Sequence, residues 1–284
     1  MNNISANYRP CWRTDQGRAS KEKDGHRKPR AKDLGVRRRP CDMVGPDMQI
    51  RADLHCHSYF SADGVAPPEE MIRAARQKGL NAIALTDHNS CAGVDYLESK
   101  GLLRPDGTPV DGFLVIPGQE ISTREGHLLA LGLRLPDLHG ISAAEAVALI
   151  RSQGGFSIAP HPFDYFRAGI RSRTLDTLPL DAIEVFNAAA TLRRSNRQAF
   201  RNAKARGLPM VAASDSHEAD AIGTAYVTLE AEEFSVAGVF AALRKGPVKR
   251  EEHYIKAQAA LRKTWHNVFR FRPHRISASS SRNP

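Results

Sequence analysis

Met48-Gln49-Ile50-Arg51-Ala52-Asp53-Leu54-His55-Cys56-His57-Ser58 is the stretch from which the rest of this 284-residue chain can be read. Apolar residues alternate from Met48 to Leu54, so the run reads as a strand that ends in a His-x-His. Successive side chains on a strand face opposite ways. His55 and His57 therefore share one face, and Cys56 takes the other. Two imidazoles leaving a strand end together can chelate one ion, because neutral imidazole is a good ligand for zinc, iron or manganese. Alone, the pair carries little weight. What matters is whether other strand ends supply more ligands.

Outward from this stretch, short apolar runs recur at Ala82–Thr86, Phe113–Pro117, His127–Leu133, Phe156–Ala159, Ala182–Phe186 and Met210–Ala213, which with Gln49–Leu54 makes seven expected strands. Helices are expected between many of them. Pro67-Pro68-Glu69-Glu70 opens one that stops at Gly79, Ser142 to Glu145 opens a second with a capping box, and a third runs from Thr191 to Arg206 before Gly207. Alternating strands and helices imply an α/β fold with a parallel sheet, and seven strands suggest a closed barrel. Beyond the barrel, Thr224–Leu229 reads as a further strand and Glu233–Lys245 as a helix with Val236, Val239, Phe240 and Leu243 on one face. Glu251–Phe269 reads as a basic helix. The expected layout is a disordered basic tail over 1–46, a barrel over 47–246 and a basic helical extension over 247–284.

The net charge of +10 belongs to the ends: residues 1–50 carry 12 basic against 6 acidic groups, and residues 244–284 carry 11 against 2. The body between them carries 18 against 23, a net of −5. Basic ends can hold nucleic acid. No apolar run is long enough to span a membrane and the first residues lack a secretion signal. Four cysteines without a CxxC pairing fit reduced thiols and a cytoplasmic location.

Strand ends carry nearly every histidine of the body. Asp87-His88 follows the second strand, Glu120 the third, His161 the fifth and Asp215-Ser216-His217 the seventh, while His127 begins the fourth after a tight connection. Parallel barrels build their active sites from the C-terminal ends of their strands. Such a gathering predicts a metal site.

The ordered motifs resemble the polymerase and histidinol phosphatase (PHP) family of metal-dependent phosphoesterases. The likeness spans about 51–229: Asp-Leu-His-Cys-His-Ser at 53–58, Ser61-Ala62-Asp63-Gly64, Leu-Thr-Asp-His-Asn at 85–89, Pro-Gly-Gln-Glu-Ile-Ser at 117–122, Gly-His-Leu-Leu-Ala-Leu-Gly at 126–132, Ala-Pro-His-Pro at 159–162 and Ser-Asp-Ser-His at 214–217. The resemblance implies a distorted (β/α)7 barrel holding two or three divalent ions. By the same resemblance His55, His57, Glu120 and Asp215 would hold one ion, and Glu120 would bridge to a second on His127 and His161. Asp63, His88 and His217 would hold a third, with Asp63 standing where some relatives have histidine. Asp53 and Asp87 are expected to orient neighbouring histidines.

A mixed imidazole and carboxylate set suits Zn, Mn or Fe better than Mg or Ca. Metal-activated water attacking a phosphate ester is the chemistry such a cluster serves. The expected substrates are small phosphorylated metabolites or nucleotides, with 5′–3′ exonuclease action on short oligonucleotides as the nearest variant. Arg167, Arg171 and Arg173, together with Asn187, are candidate phosphate-binding groups. No general acid separate from the ligands stands out. Two other readings are open: an amide or carbamate hydrolase of the amidohydrolase kind, which would favour a bridging lysine absent from these strand ends, and a non-catalytic nucleic-acid or partner-binding module, which would favour eroded ligands.

Overall fold

The computed structural model describes residues 48–255. Among them one sheet contains β1 (Met48–Cys56), β2 (Ala82–Leu85), β3 (Leu114–Thr123), β4 (Gly126–Leu131), β5 (Phe156–Ala159), β6 (Ala182–Asn187), β7 (Met210–Ala213), β8 (Ala225–Ala231) and β9 (Lys249–Glu252). The helices are α1 (Pro68–Gln77), α2 (Ala92–Ser99), α3 (Ala143–Ser152), α4 (Ser172–Leu175), α5 (Arg193–Arg206) and α6 (Val236–Lys245). The seven strands expected from the sequence are all present, most with limits shifted by one or two residues, while β3 continues six residues past Pro117 to Thr123.

Across the sheet the order is β7-β6-β5-β4-β3-β2-β1-β8-β9. The ribbon curls until the segment after β7 meets the end of β1. There the His57 N–H donates to the Ser216 carbonyl at 2.8 Å and the Ser216 N–H to the His55 carbonyl at 3.3 Å. A barrel that is nearly closed results, and its seam runs through the His-x-His.

Residue alternation sorts the core into layers. Ala82 and Ala84 of β2 face inwards with Leu54, Ile116 and Leu129, whereas Ile83 and Leu85 face outwards onto Met71 and Ile72 of α1 and Val94 and Leu97 of α2. The end of the barrel opposite the seam is filled by α6. Because β8 runs antiparallel to β1, with Ala231 opposite Met48, the chain enters α6 at that far end. Val236, Val239, Phe240 and Leu243, the face read from the sequence, are fully buried there, and the Phe240 ring lies 5.2 Å from that of Phe156. Ser235 caps this helix by accepting the Gly238 N–H, so the helix begins three residues later than Glu233. The capping box on α3 forms as expected between Ser142 and Glu145.

Three features depart from expectation. β4 is antiparallel to both neighbours, with Ser122 opposite His127 across a tight hairpin. The two-residue connection Arg124-Glu125 is too short for the crossover a parallel partner needs. Lys249–Glu252 is an edge strand on β8, so Glu251 and Glu252 do not begin a helix; the open edge of β8 takes the segment, and its charges suit a sheet edge. The rest of that expected helix and the tail over 1–46 lie outside the described residues. Finally, α2 and the single-turn α4 are helices the sequence reading does not contain; in α2, Gly93 dilutes the helical signal. Glycine is needed there, because a Cβ would come within 2.5 Å of the Asp87 carboxylate. Among the described residues no helix is long and apolar enough to cross a membrane.

Candidate metal centre

Each candidate ligand reaches the seam end of the barrel for a local reason. His55 and His57 are carried by the alternation of β1, and both are fully buried. Cys56 turns outwards into the apolar layer of α1 and α2, where burial pushes its thiol well above the ordinary range. His127 opens β4, which descends from the rim; an antiparallel strand brings its first residue to the level of its neighbour's last. His161 and Asp215 follow β5 and β7 with left-handed backbones, φ 32° and 52°. Such φ values are uncommon away from glycine, and here they turn both side chains towards the barrel axis.

Glu120 stands at the centre. Its Oε2 lies 3.2 Å from His55 Nε2, 3.1 Å from His57 Nε2 and 3.3 Å from His88 Nδ1. Its Oε1 lies 2.9 Å from His127 Nδ1 and 3.0 Å from His161 Nε2. One carboxylate is thus ringed by five imidazoles. Asp215 Oδ1 is 3.7 Å from His55 and 3.6 Å from His57, and Asp63 Oδ2 is 2.7 Å from His217 Nε2. Four overlapping groups have donor atoms within 4.8 Å of one another: His57, Asp63, His88 and His217; His55, His57 and Glu120; His55, His161 and Asp215; and His88, Glu120 and His127. All nine predicted ligands belong to at least one group.

The donors also fit a cation. His57 Nε2, His88 Nδ1 and His127 Nδ1 are buried close to Glu120 without hydrogen-bonding alignment. Burying polar atoms without such bonds is costly, and shared ions would supply the missing partner. Burial is the main reason that His57 and His88 resist protonation, down to about 4 for each, which keeps them in the ligating form. Burial alone would raise the Glu120 and Asp215 carboxyls, but the surrounding imidazoles, with Arg167 for Asp215, hold both well below the usual range.

The groups that orient the histidines differ from the two aspartates expected to do so. Asp53 accepts the Ser214 and Gly223 N–H groups and Asp87 accepts from the Ser58 N–H and hydroxyl, so both fix loops and not histidine rings. Histidine orientation falls to Glu184, whose Oε1 accepts from His55 Nδ1 at 3.2 Å and whose Oε2 accepts the His161 N–H at 2.6 Å. The signal was visible: an acid inside the apolar run Ala182-Ile183-Glu184-Val185-Phe186.

An open cavity of about 330 Å³ exposes the cluster, lined by Asp63, His88, Glu120, His127, His161 and Arg167, among others. Arg167 donates to Asp215 and to the Ala189 carbonyl. Arg171 and Arg173 line a neighbouring cleft, beyond Ala168. Asn187 is fully buried, and its amide donates to Glu184 at 2.9 Å and Asp215 at 3.1 Å. Both amide hydrogens are spent, so it steadies Asp215 and has no donor left for a substrate anion.

Comparison with known proteins bears on this arrangement. The PHP domain family matches residues 53–129, and the PHP-associated family matches residues 193–248. An uncharacterised protein of Methanocaldococcus jannaschii is 36% identical over 149 residues, 49% of this chain and 82% of that one. The chain belongs to the PHP family. It is accordingly a metal-dependent hydrolase of the phosphoesterase type. The barrel is similar to a two-domain Bacteroides vulgatus protein containing a predicted PHP-like metal-dependent phosphoesterase, with a TM-score of 0.58 and 24% identity over 78% of this chain and 70% of that one. A 5′-3′ exoribonuclease of Haemophilus influenzae is 37% identical over 108 residues, 37% of this chain and 35% of that enzyme.

Proposed function

We propose that this PHP protein hydrolyses phosphate monoesters of small metabolites or nucleotides, and trims short oligonucleotides by the same chemistry. The observation that carries the reading is the convergence of five imidazoles on Glu120 at the floor of an open cavity. In this reading His55, His57, Glu120 and Asp215 would hold a first divalent ion, Glu120 would be shared with a second held by His127 and His161, and Asp63, His88 and His217 would hold a third. The mixed donor set favours Zn, Mn or Fe. Bound ions supply Lewis-acid charge for phosphoryl oxygens and a nucleophilic water at neutral pH.

The chain's own residues do the rest. Glu120 divides its two oxygens between two sets of histidines, which fixes their separation. Glu184 keeps a proton on His55 Nδ1 and leaves Nε2 free to ligate. Arg167 brings a guanidinium to the cavity wall, held by Asp215 and Ala189, and adds positive charge where an anionic ester would enter. Three carboxylates against two or three divalent ions also leave the site positive. An amidohydrolase-like alternative would be favoured by a lysine at the bridge, and Glu120 stands in that place.

The test combines metal analysis of the purified protein with a hydrolysis screen. Nucleotides, nucleoside bisphosphates and short 5′-phosphorylated oligonucleotides are offered with Mn to wild type and His55→Ala. Two to three ions per chain, with turnover lost in the variant, is the expected result. Bound metal without hydrolysis of any phosphoester would overturn the reading.

A further inference from the structure

Beside the metal cavity lies a second cleft, of about 450 Å³, lined by Arg124, Tyr165, Arg171, Arg173 and Thr174, among others. The two meet at Ala168, which borders both. The wall between them is a single short turn, Tyr165–Arg167, that presents Phe166 and Arg167 to the metal cavity and Tyr165 to the cleft.

This turn exposes two aromatic rings. Tyr165 is 66% and Phe166 69% exposed, and their rings stand edge to face at 5.9 Å. They are the two most exposed large apolar or aromatic side chains among the described residues, and they are adjacent. The turn is also held firmly, since the fully buried Asp164 accepts the Phe166 N–H at 3.2 Å and the Thr191 N–H at 2.7 Å. The aromatic pair is displayed on a fixed support.

Charge supplies the second half. The Arg171 guanidinium lies 4.7 Å above the Tyr165 ring, and among the described residues no carboxylate pairs with Arg171 or Arg173. Glu125, the acid lining the cleft, spends its carboxylate on the Ala143 N–H at the start of α3. Unpaired guanidinium groups beside exposed rings match what single-stranded nucleic acid presents, phosphates alternating with flat bases.

We propose that the Tyr165–Thr174 surface is a binding track for single-stranded nucleic acid. The 5′-terminal or scissile phosphate would sit in the metal cavity, bases would stack on Phe166 and Tyr165, and following phosphates would meet Arg171 and Arg173. The proposal rests on the phosphoesterase reading of the metal centre and adds the substrate class that this mouth selects. A mononucleotide would fill the first cavity alone, and a strand would use both.

The test uses the full-length chain with its basic ends in place. A fluorescently labelled, 5′-phosphorylated single-stranded hexanucleotide is titrated by anisotropy into metal-stripped protein, over a salt series. Turnover of p-nitrophenyl phosphate with Mn is measured in parallel. Tyr165→Ala is expected to weaken strand binding about tenfold, within the range for loss of one stacked base, and to leave p-nitrophenyl phosphate turnover within about twofold. Arg171→Ala with Arg173→Ala should reduce the slope of log affinity against log salt by about two phosphate contacts. Tyr165→Phe, which keeps the ring, should restore binding. Strand affinity unchanged in Tyr165→Ala and in the double arginine variant would overturn the track, because the basic ends alone would then hold the strand. A preference for duplex over single strand would overturn it as well. Either outcome with p-nitrophenyl phosphate hydrolysed leaves the phosphoesterase reading standing, whereas loss of strand binding without hydrolysis of any ester would sink that reading and keep the track.

Discussion

Glu184 and Asp87 are both buried acids beside candidate ligands, and they do opposite work. Glu184 is bonded to His55 and to the backbone of His161, so Glu184→Gln leaves shape intact but removes the charge that fixes the imidazole tautomer. Changes to such supporting carboxylates typically lower metal affinity about 10–100-fold. Competition with a chromophoric chelator should reveal a loss of that size, with little change in melting temperature. Asp87 is tied to Ser58 alone, and burial pushes its carboxyl from 3.8 up to about 7 against the pull of the Ser58 donors. Between those values the folded chain keeps a proton that the unfolded chain has released, so stability falls as pH rises through this window. Asp87→Asn removes the titration. In metal-stripped protein its stability relative to wild type should therefore improve from pH 5 to pH 8, by on the order of 2 kcal/mol. Denaturant curves giving the same difference at both pH values would show that Asp87 is ionised throughout. Residues of this kind were the least legible in the sequence. The ligands announced themselves by position at strand ends, but the partner of each carboxylate depends on which loop the fold brings over it. Asp87 adjoins His88 and Asp53 stands two residues before His55, yet they bond to Ser58 and to backbone, while Glu184 on β6 reaches His55 from five places along the sheet order.

At the scale of elements, the hairpin between β3 and β4 decides whether His127 reaches Glu120. Gly126 has φ 139°, and a Cβ there would come within 2.6 Å of the Ala168 carbonyl and 2.8 Å of the Ile170 nitrogen. Those are backbone atoms, which cannot step aside as a side chain would. Gly126→Ala should cost about 2–3 kcal/mol, in the range for clashes and forced backbone angles. It should also lower the metal content, because His127 is the next residue; calorimetry and elemental analysis on the same sample would check both. Strand and helix positions were readable because apolar period and punctuation mark them locally. The direction of β4 was not, because it follows from the length of a turn. The odd placement of His127 at the start of its strand was the trace of that reversal.

For the whole molecule, the barrel divides into a polar mouth and an apolar far end plugged by α6. Phe240 belongs to the plug, its ring tilted against that of Phe156, and is remote in the chain from every candidate ligand. Phe240→Ala should destabilise the protein by about 3–5 kcal/mol through the cavity it leaves. At temperatures below its lowered melting point, the variant should still bind its full complement of metal. Loss of metal together with stability would mean that mouth and plug are one cooperative unit.

The edge strand β9 has a practical consequence. It runs antiparallel to β8, from Lys249 opposite Thr228 to Glu252 opposite Ala225, and so climbs back to the mouth. There Tyr254 packs on Phe186, and the Ile255 N–H bonds to the Ala188 carbonyl at 3.1 Å, next to the ends of β6 and β7. Met48, by contrast, starts at the plugged end. The chain therefore enters and leaves the described barrel at opposite poles. A tether or label attached at Met48 stands at the plugged pole, away from the metal cavity, whereas one attached at Ile255 stands beside the mouth.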